Sequence, residues 1–161
     1  MKVFKLFLAM SGFFFCLGFT DNTPKHVKGG NFEGYIFPKE YMMEVPFENM
    51  KERFTPTYQD VILVESIVKE QLVVINSSRL NQIGGNPVIH KELRIYKRQY
   101  VGYIDTNGDR IVWINFIWKR EIPKTWNKDI LIVLDGGSYF WNLKVLLNKN
   151  KAFDLQVNGL S

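Results

Sequence analysis

Residues 99–118 read QYVGYI-DTNGD-RIVWINFIW, the strongest β signal in the chain. Two arms rich in β-branched and aromatic side chains flank a turn. In that turn Asp105, Asn107 and Gly108 supply the side-chain acceptors and the φ freedom that a tight reversal needs. The second arm is apolar on both faces. Ile111, Trp113 and Ile117 fall on one face, and Val112, Ile114, Phe116 and Trp118 on the other. Burial from two sides predicts a central strand. Asn115 is the one polar residue inside that run.

Downstream, 119–128 reads as a connection carrying Pro123 and Trp126. Residues 129–134 are again apolar on both faces and predict a short strand. Asp135-Gly136-Gly137 makes a turn. A further strand is expected over 138–147, with Tyr139, Trp141, Leu143, Val145 and Leu147 on one face and Asn142 and Lys144 on the other. Phe153, Leu155 and Val157 alternate with Asp154, Gln156 and Asn158, which predicts an edge strand with one wet face. Short turns between such strands give an antiparallel meander of four to five strands.

Upstream, 55–75 predicts a helix. Val61, Val64, Val68, Leu72 and Ile75 form one apolar stripe at spacings of three and four. Thr55-Pro56 offers one start, and Thr57 with Asp60 a second, capping-box start. Residues 87–97 predict a second, shorter helix, since Ile89, Leu93 and Tyr96 share a face behind Asn86-Pro87. The competing reading is a strand beginning near Leu93. Residues 21–54, broken by Pro38 and Pro46, read as an irregular lead-in docked on the domain. One or two helices ahead of a meander make a two-layer α+β domain over 55–161.

The first twenty residues have the form of a secretory signal peptide: Lys2 and Lys5, then an apolar run from Leu6 to Phe19. An uncleaved N-terminal anchor is the alternative. Cys16 is the only cysteine in 161 residues. Lipid attachment there would make a lipoprotein, but the bulk of Phe13, Phe14 and Phe15 argues against that processing. If Cys16 leaves with the signal, disulfides, thiolate catalysis and cysteine metal sites leave with it. The expected location is secreted or periplasmic, with no membrane span after cleavage. A formal charge of +5 falls to about +3 once Lys2 and Lys5 are removed, too mild a balance to suggest nucleic acid. At 46% hydrophobic and 15% aromatic, the chain can fill a core, which excludes global disorder.

Catalytic signatures are sparse. His26 and His90 have no partner at ligand spacing, so neither a zinc site nor a serine triad can be assembled. Asp105, Asn107 and Asp109 begin like a calcium loop, but glycine stands at the fourth position and Phe116 at the twelfth. Gly84-Gly85 and Gly136-Gly137 are not phosphate loops. No metal and no cofactor is expected. Asp135 reads either as an acid at a pocket rim or as a turn aspartate bonding its own backbone. Lys91, Arg94 and Arg98 would share one helical face, a stripe for anionic groups or simply a solvated surface.

A helix followed by an antiparallel meander resembles the cystatin-like and NTF2-like folds. Gln99-Tyr100-Val101-Gly102 resembles the Q-x-V-x-G loop of cystatins, with glycine one place early, and no Pro-Trp pair follows. Residues 96–159, with RQYVGYID, VLDGGSYFWNLKV and a closing VNG, resemble small exported bacterial proteins of unknown function. The resemblance implies a fold and a compartment, and no activity. The expected function is a non-catalytic binding or accessory module for a protein or glycan partner. Its candidate contacts are Asn115, Asp135, Trp113, Trp141 and Tyr103. An NTF2-like enzyme with a pocket between helix and sheet is the alternative, and a protease inhibitor a third reading.

Overall fold

The computed structural model describes residues 22–44 and 47–160; the expected signal segment and Cys16 lie outside them. Among these residues the fold is α+β, with one α-helix on a seven-stranded, mostly antiparallel sheet. The strands are β1 Lys25–Lys28, β2 Glu33–Phe37, β3 Met50–Phe54, β4 Tyr96–Asp105, β5 Arg110–Trp118, β6 Phe140–Leu146 and β7 Lys151–Val157. The helix, α1, spans Tyr58–Ile75. Sheet order is β1-β2-β4-β5-β6-β7, and β3 also pairs with β4.

The hairpin of β4 and β5 forms as its sequence dictates. Asp105 Oδ1 accepts hydrogen bonds from the backbone N–H groups of Asn107 and Asp109, both at 2.9 Å. Gly108 takes φ 84°, a conformation costly for any residue with a Cβ. The register runs from Ile104 opposite Arg110 to Tyr96 opposite Trp118. The other edge of β4 holds two strands end to end. β2 runs parallel along Arg98 to Val101, and β3 antiparallel along Gly102 to Asp105. At each of these pairings a glycine permits close approach. A Cβ on Gly34 would sit 2.2 Å from the Arg98 carbonyl oxygen, and one on Gly102 would sit 2.6 Å from that of Phe54.

α1 begins with a complete capping box. Thr57 Oγ1 accepts from the Asp60 N–H at 3.1 Å, and the Thr57 N–H donates to Asp60 Oδ2 at 2.9 Å. Its buried stripe is Val61, Val64, Ile67, Val68 and Leu72. These meet Tyr96, Tyr100, Val112, Ile114, Phe116, Trp141, Leu143 and Val145 in one core. Trp141 stacks on Phe116 with centroids 3.6 Å apart. Gln71 fastens the helix to β7, donating to the Asn150 carbonyl at 2.8 Å and accepting from the Ala152 N–H at 2.9 Å.

Loops cover the far face of the sheet. Phe47 stacks on Tyr103 at 4.6 Å. Tyr41 meets Phe37 edge-on, and its hydroxyl accepts from the Ile130 N–H at 3.2 Å.

Several expectations are corrected. The sheet has seven strands rather than four to five, because the stretch read as an irregular lead-in supplies β1, β2 and β3. No helix forms over 87–97; turns and one 3-10 turn, Leu93–Ile95, lead into β4 at Tyr96. The periodicity of Ile89, Leu93 and Tyr96 instead reflects separate insertions into the core. Residues 129–134 are not a strand; their backbone bonds go to side chains, those of Gln99 on β4, Asn115 on β5, Tyr41 and Asn158. In β7 the alternation breaks at Asp154, which takes φ 52° at a shift of register with β6. Ala152, Leu155 and Val157 therefore join the helix-side core, while Phe153 points to the other face, where it lines a hollow with Tyr103.

Candidate functional site

α1, the turn at 30–32 and the segment 90–95 enclose a cleft of about 600 Å³. Its apolar walls include Phe32, Ile62, Val73, Leu93 and Ile95. Ile62 and Val73 remain exposed at its mouth, at 43% and 56% of their full surface. The volume lies within the range of about 300–1,000 Å³ that small-molecule sites occupy.

A charged group is built into this cleft. Arg98 on β4 is wholly buried. Its Nε donates to Glu65 Oε1 at 3.2 Å and its Nη2 to Glu65 Oε2 at 3.3 Å. Nη2 also reaches the Leu93 carbonyl at 3.0 Å, and Nη1 donates to the Tyr96 carbonyl. The Tyr100 hydroxyl donates to Glu65 Oε1 at 2.8 Å. Burial, reinforced by the adjacent Glu65 carboxylate, pushes the Tyr100 phenol well above its ordinary value, so it stays a donor. Both Glu65 oxygens thus receive donors from the protein itself. A fork-to-fork pair of this kind fixes α1 against β4 at one depth.

Around this floor the charge is one-sided. Lys69, Lys91, Arg94 and Arg98 oppose Glu65 and Glu92, four positive against two negative, a formal excess of two. Among the described residues Lys69, Lys91 and Arg94 make no ion pair. His90 completes the lining. Asn76 Nδ2 can only donate, so its 2.9 Å bond to His90 Nδ1 requires that nitrogen to be unprotonated. Burial, helped by Arg79 and Lys91, holds the His90 ring below its ordinary value.

The residues singled out from sequence do not converge here. Trp141 is wholly buried in the core, so it is packing and not a contact. Tyr103 is buried under Phe47 and borders a separate hollow of about 300 Å³ with Asp105, Asp109 and Lys144. Asp135 is exposed in the turn where Gly136 and Gly137 take φ 84° and 54°. Trp113 and Asn115 line a void of about 60 Å³, room for water and little else.

Asn115 has a structural explanation. It pairs across the hairpin with Gln99, donating to Gln99 Oε1 at 3.0 Å and to the Leu131 carbonyl at 2.7 Å. Gln99 in turn donates to the carbonyls of Trp126 and Asp129, each at 2.7 Å, and accepts from the Leu131 N–H at 2.9 Å. The two amides are a clamp that satisfies the backbone of the loop crossing the far face. The residues resembling a cystatin loop, Gln99 to Gly102, lie inside β4 and are buried, not at a tip.

Glu65 was not among the sequence candidates, and Arg98 entered only as one of a basic stripe on an expected helix. A signal existed for both. Glu65 falls within the helical stripe of Val61, Val68 and Leu72, and Arg98 shares strand parity with Tyr96 and Tyr100. A charge inside an apolar stripe demands a partner. Among the described residues no group of three or more His, Cys, Asp or Glu could hold a metal ion, and no helix is long and apolar enough to cross a membrane. Compared with protein-family models, curated proteins and solved structures, the chain gives no match.

Proposed function

We propose that this chain is an exported, non-catalytic binding module whose ligand seat is the cleft between α1 and the 90–95 segment. The observation that carries the reading is the Glu65–Arg98 pair. It is a buried charge set in a sizeable cleft, and the carboxylate's oxygens are both committed to donors of the fold. An acid–base catalyst needs a carboxylate or imidazole aimed at a substrate proton. Glu65 is aimed at Arg98 and Tyr100, so it shapes and rigidifies the seat. The seat moves from the sheet aromatics Trp113, Trp141 and Tyr103, where sequence put it, to the cleft beside α1. Export rests on the form of residues 1–20. The protein recovered from culture medium or periplasm is expected to start near residues 18–22 by N-terminal mass; a full-length chain retained in the cytoplasm removes that part of the reading.

The cleft is tested with a fragment library read by amide shift mapping on the ¹⁵N-labelled chain. Hits should cluster on 62–73 and 89–95 and disappear in Ser66→Trp, which fills the cleft from an exposed helix position. Hits centred on Trp113 and Asn115, or indifferent to Ser66→Trp, would overturn the assignment. A second reading, an NTF2-like enzyme, is supported by the position of the cleft beside a helix on a sheet and by the neutral His90 in its lining. Turnover of a bound fragment, abolished by His90→Gln, would favour that reading instead.

A further inference from the structure

Resting on that cleft as the ligand seat, we infer that its ligand is a monomeric single-chain amphiphile with an anionic head, a fatty carboxylate in chemical class. Three observations converge. The walls are aliphatic and aromatic: Phe32, Ile62, Val73, Leu93 and Ile95. Ile62 and Val73 stay exposed at the mouth, surface that an alkyl chain would cover. The polar lining carries an excess of two positive charges, and it is Lys69, Lys91 and Arg94, not the neutralised Arg98, that have no ion-pair partner among the described residues. An alkyl chain on the walls and a carboxylate at these cations satisfies both halves of the cleft. A cationic head would meet like charge, and a neutral one would leave the cations unused.

The experiment titrates the chain with decanoate, decanol and decyltrimethylammonium below their micellar concentrations, by calorimetry with amide shift mapping. Decanoate should bind at the cleft at least about tenfold more tightly than the cationic amphiphile. Dodecanoate should bind about tenfold more tightly than decanoate, since each buried methylene is worth a factor of about three to four. The exposed pair Lys91→Glu with Arg94→Glu should weaken decanoate about tenfold or more and leave decanol unchanged. Ser66→Trp should abolish all binding. Circular dichroism on both variants confirms the fold. Equal binding of the three head groups overturns the anionic assignment and leaves the cleft reading intact. Fragment hits in the cleft with no amphiphile binding do the same. Amphiphile binding that survives Ser66→Trp overturns both. Sedimentation with anionic phospholipid vesicles, without monomer binding, would identify a membrane surface and overturn the monomeric ligand.

Discussion

Gln99 and Asn115 show how two side chains can hold a covering loop, through backbone groups of Trp126, Asp129 and Leu131. Gln99 satisfies three backbone groups of the covering loop and Asn115 satisfies one. Leaving a buried backbone group without a partner costs about 1–3 kcal/mol. Gln99→Leu is therefore expected to destabilise more than Asn115→Leu, with Asn115→Leu near about 1–3 kcal/mol. Urea unfolding of the two variants ranks them, and the reverse order would mean the loop is held elsewhere. The helix-side pair obeys a different rule. Replacing only Arg98 strands the Glu65 carboxylate, at a cost of about 3–5 kcal/mol, whereas replacing Arg98 and Glu65 together with apolar residues should recover much of it. A double-mutant cycle over Arg98→Met and Glu65→Leu measures that coupling.

Among elements, α1 is the most exposed to a single change, because its many β-branched residues give it little intrinsic helicity. Thr57→Ala removes the capping-box acceptor and is expected to lower stability by about 0.5–2 kcal/mol, read as a shift of thermal midpoint. This start was legible, since Thr57 and Asp60 stand at box spacing ahead of a clear stripe. The β4–β5 turn and the two faces of β5 were equally legible, because each is decided by residues a few positions apart. β1, β2 and β3 were not. They are short, and their strand character comes from pairing with one another and with β4 far along the chain. The apolar run 129–134 misled for the opposite reason: Ile132 and Leu134 stay exposed, and the backbone bonds go to side chains such as Gln99, Asn115 and Tyr41 instead of a neighbouring strand. Of the site, the cations Lys91, Arg94 and Arg98 were visible as a cluster, placed on a helix that does not form. Glu65 stood out as a charge inside the apolar stripe, but its partner Arg98 was settled only by the fold.

For the whole molecule, acid should act in two stages. His90 is held below its ordinary value of 6.5, so the folded state resists its protonation. That contribution is present above about pH 6.5 and is lost as pH falls through the lowered folded value. Glu33, lowered first by Lys97, and Asp154, lowered first by Lys144, contribute stability above their ordinary values of 4.5 and 3.8. Theirs is lost only at still lower pH. Stability measured by urea unfolding from pH 8 to pH 3 is expected to fall first near 6.5 and again below 4.5. In His90→Gln the first fall should vanish and the second remain; a first fall that persists would place its source outside the Asn76–His90 bond.

The placement of β2 and β3 end to end on one edge of β4 carries a consequence in time. A ribosome makes β1, β2, β3 and α1 before it makes β4. Until residue 105 has been added, β3 has no partner strand and the apolar stripe of α1 has no sheet to cover. β1 and β2 have only each other, a two-stranded ribbon that is marginal in water by itself. The nascent N-terminal half thus has no template to fold on until β4 has been made.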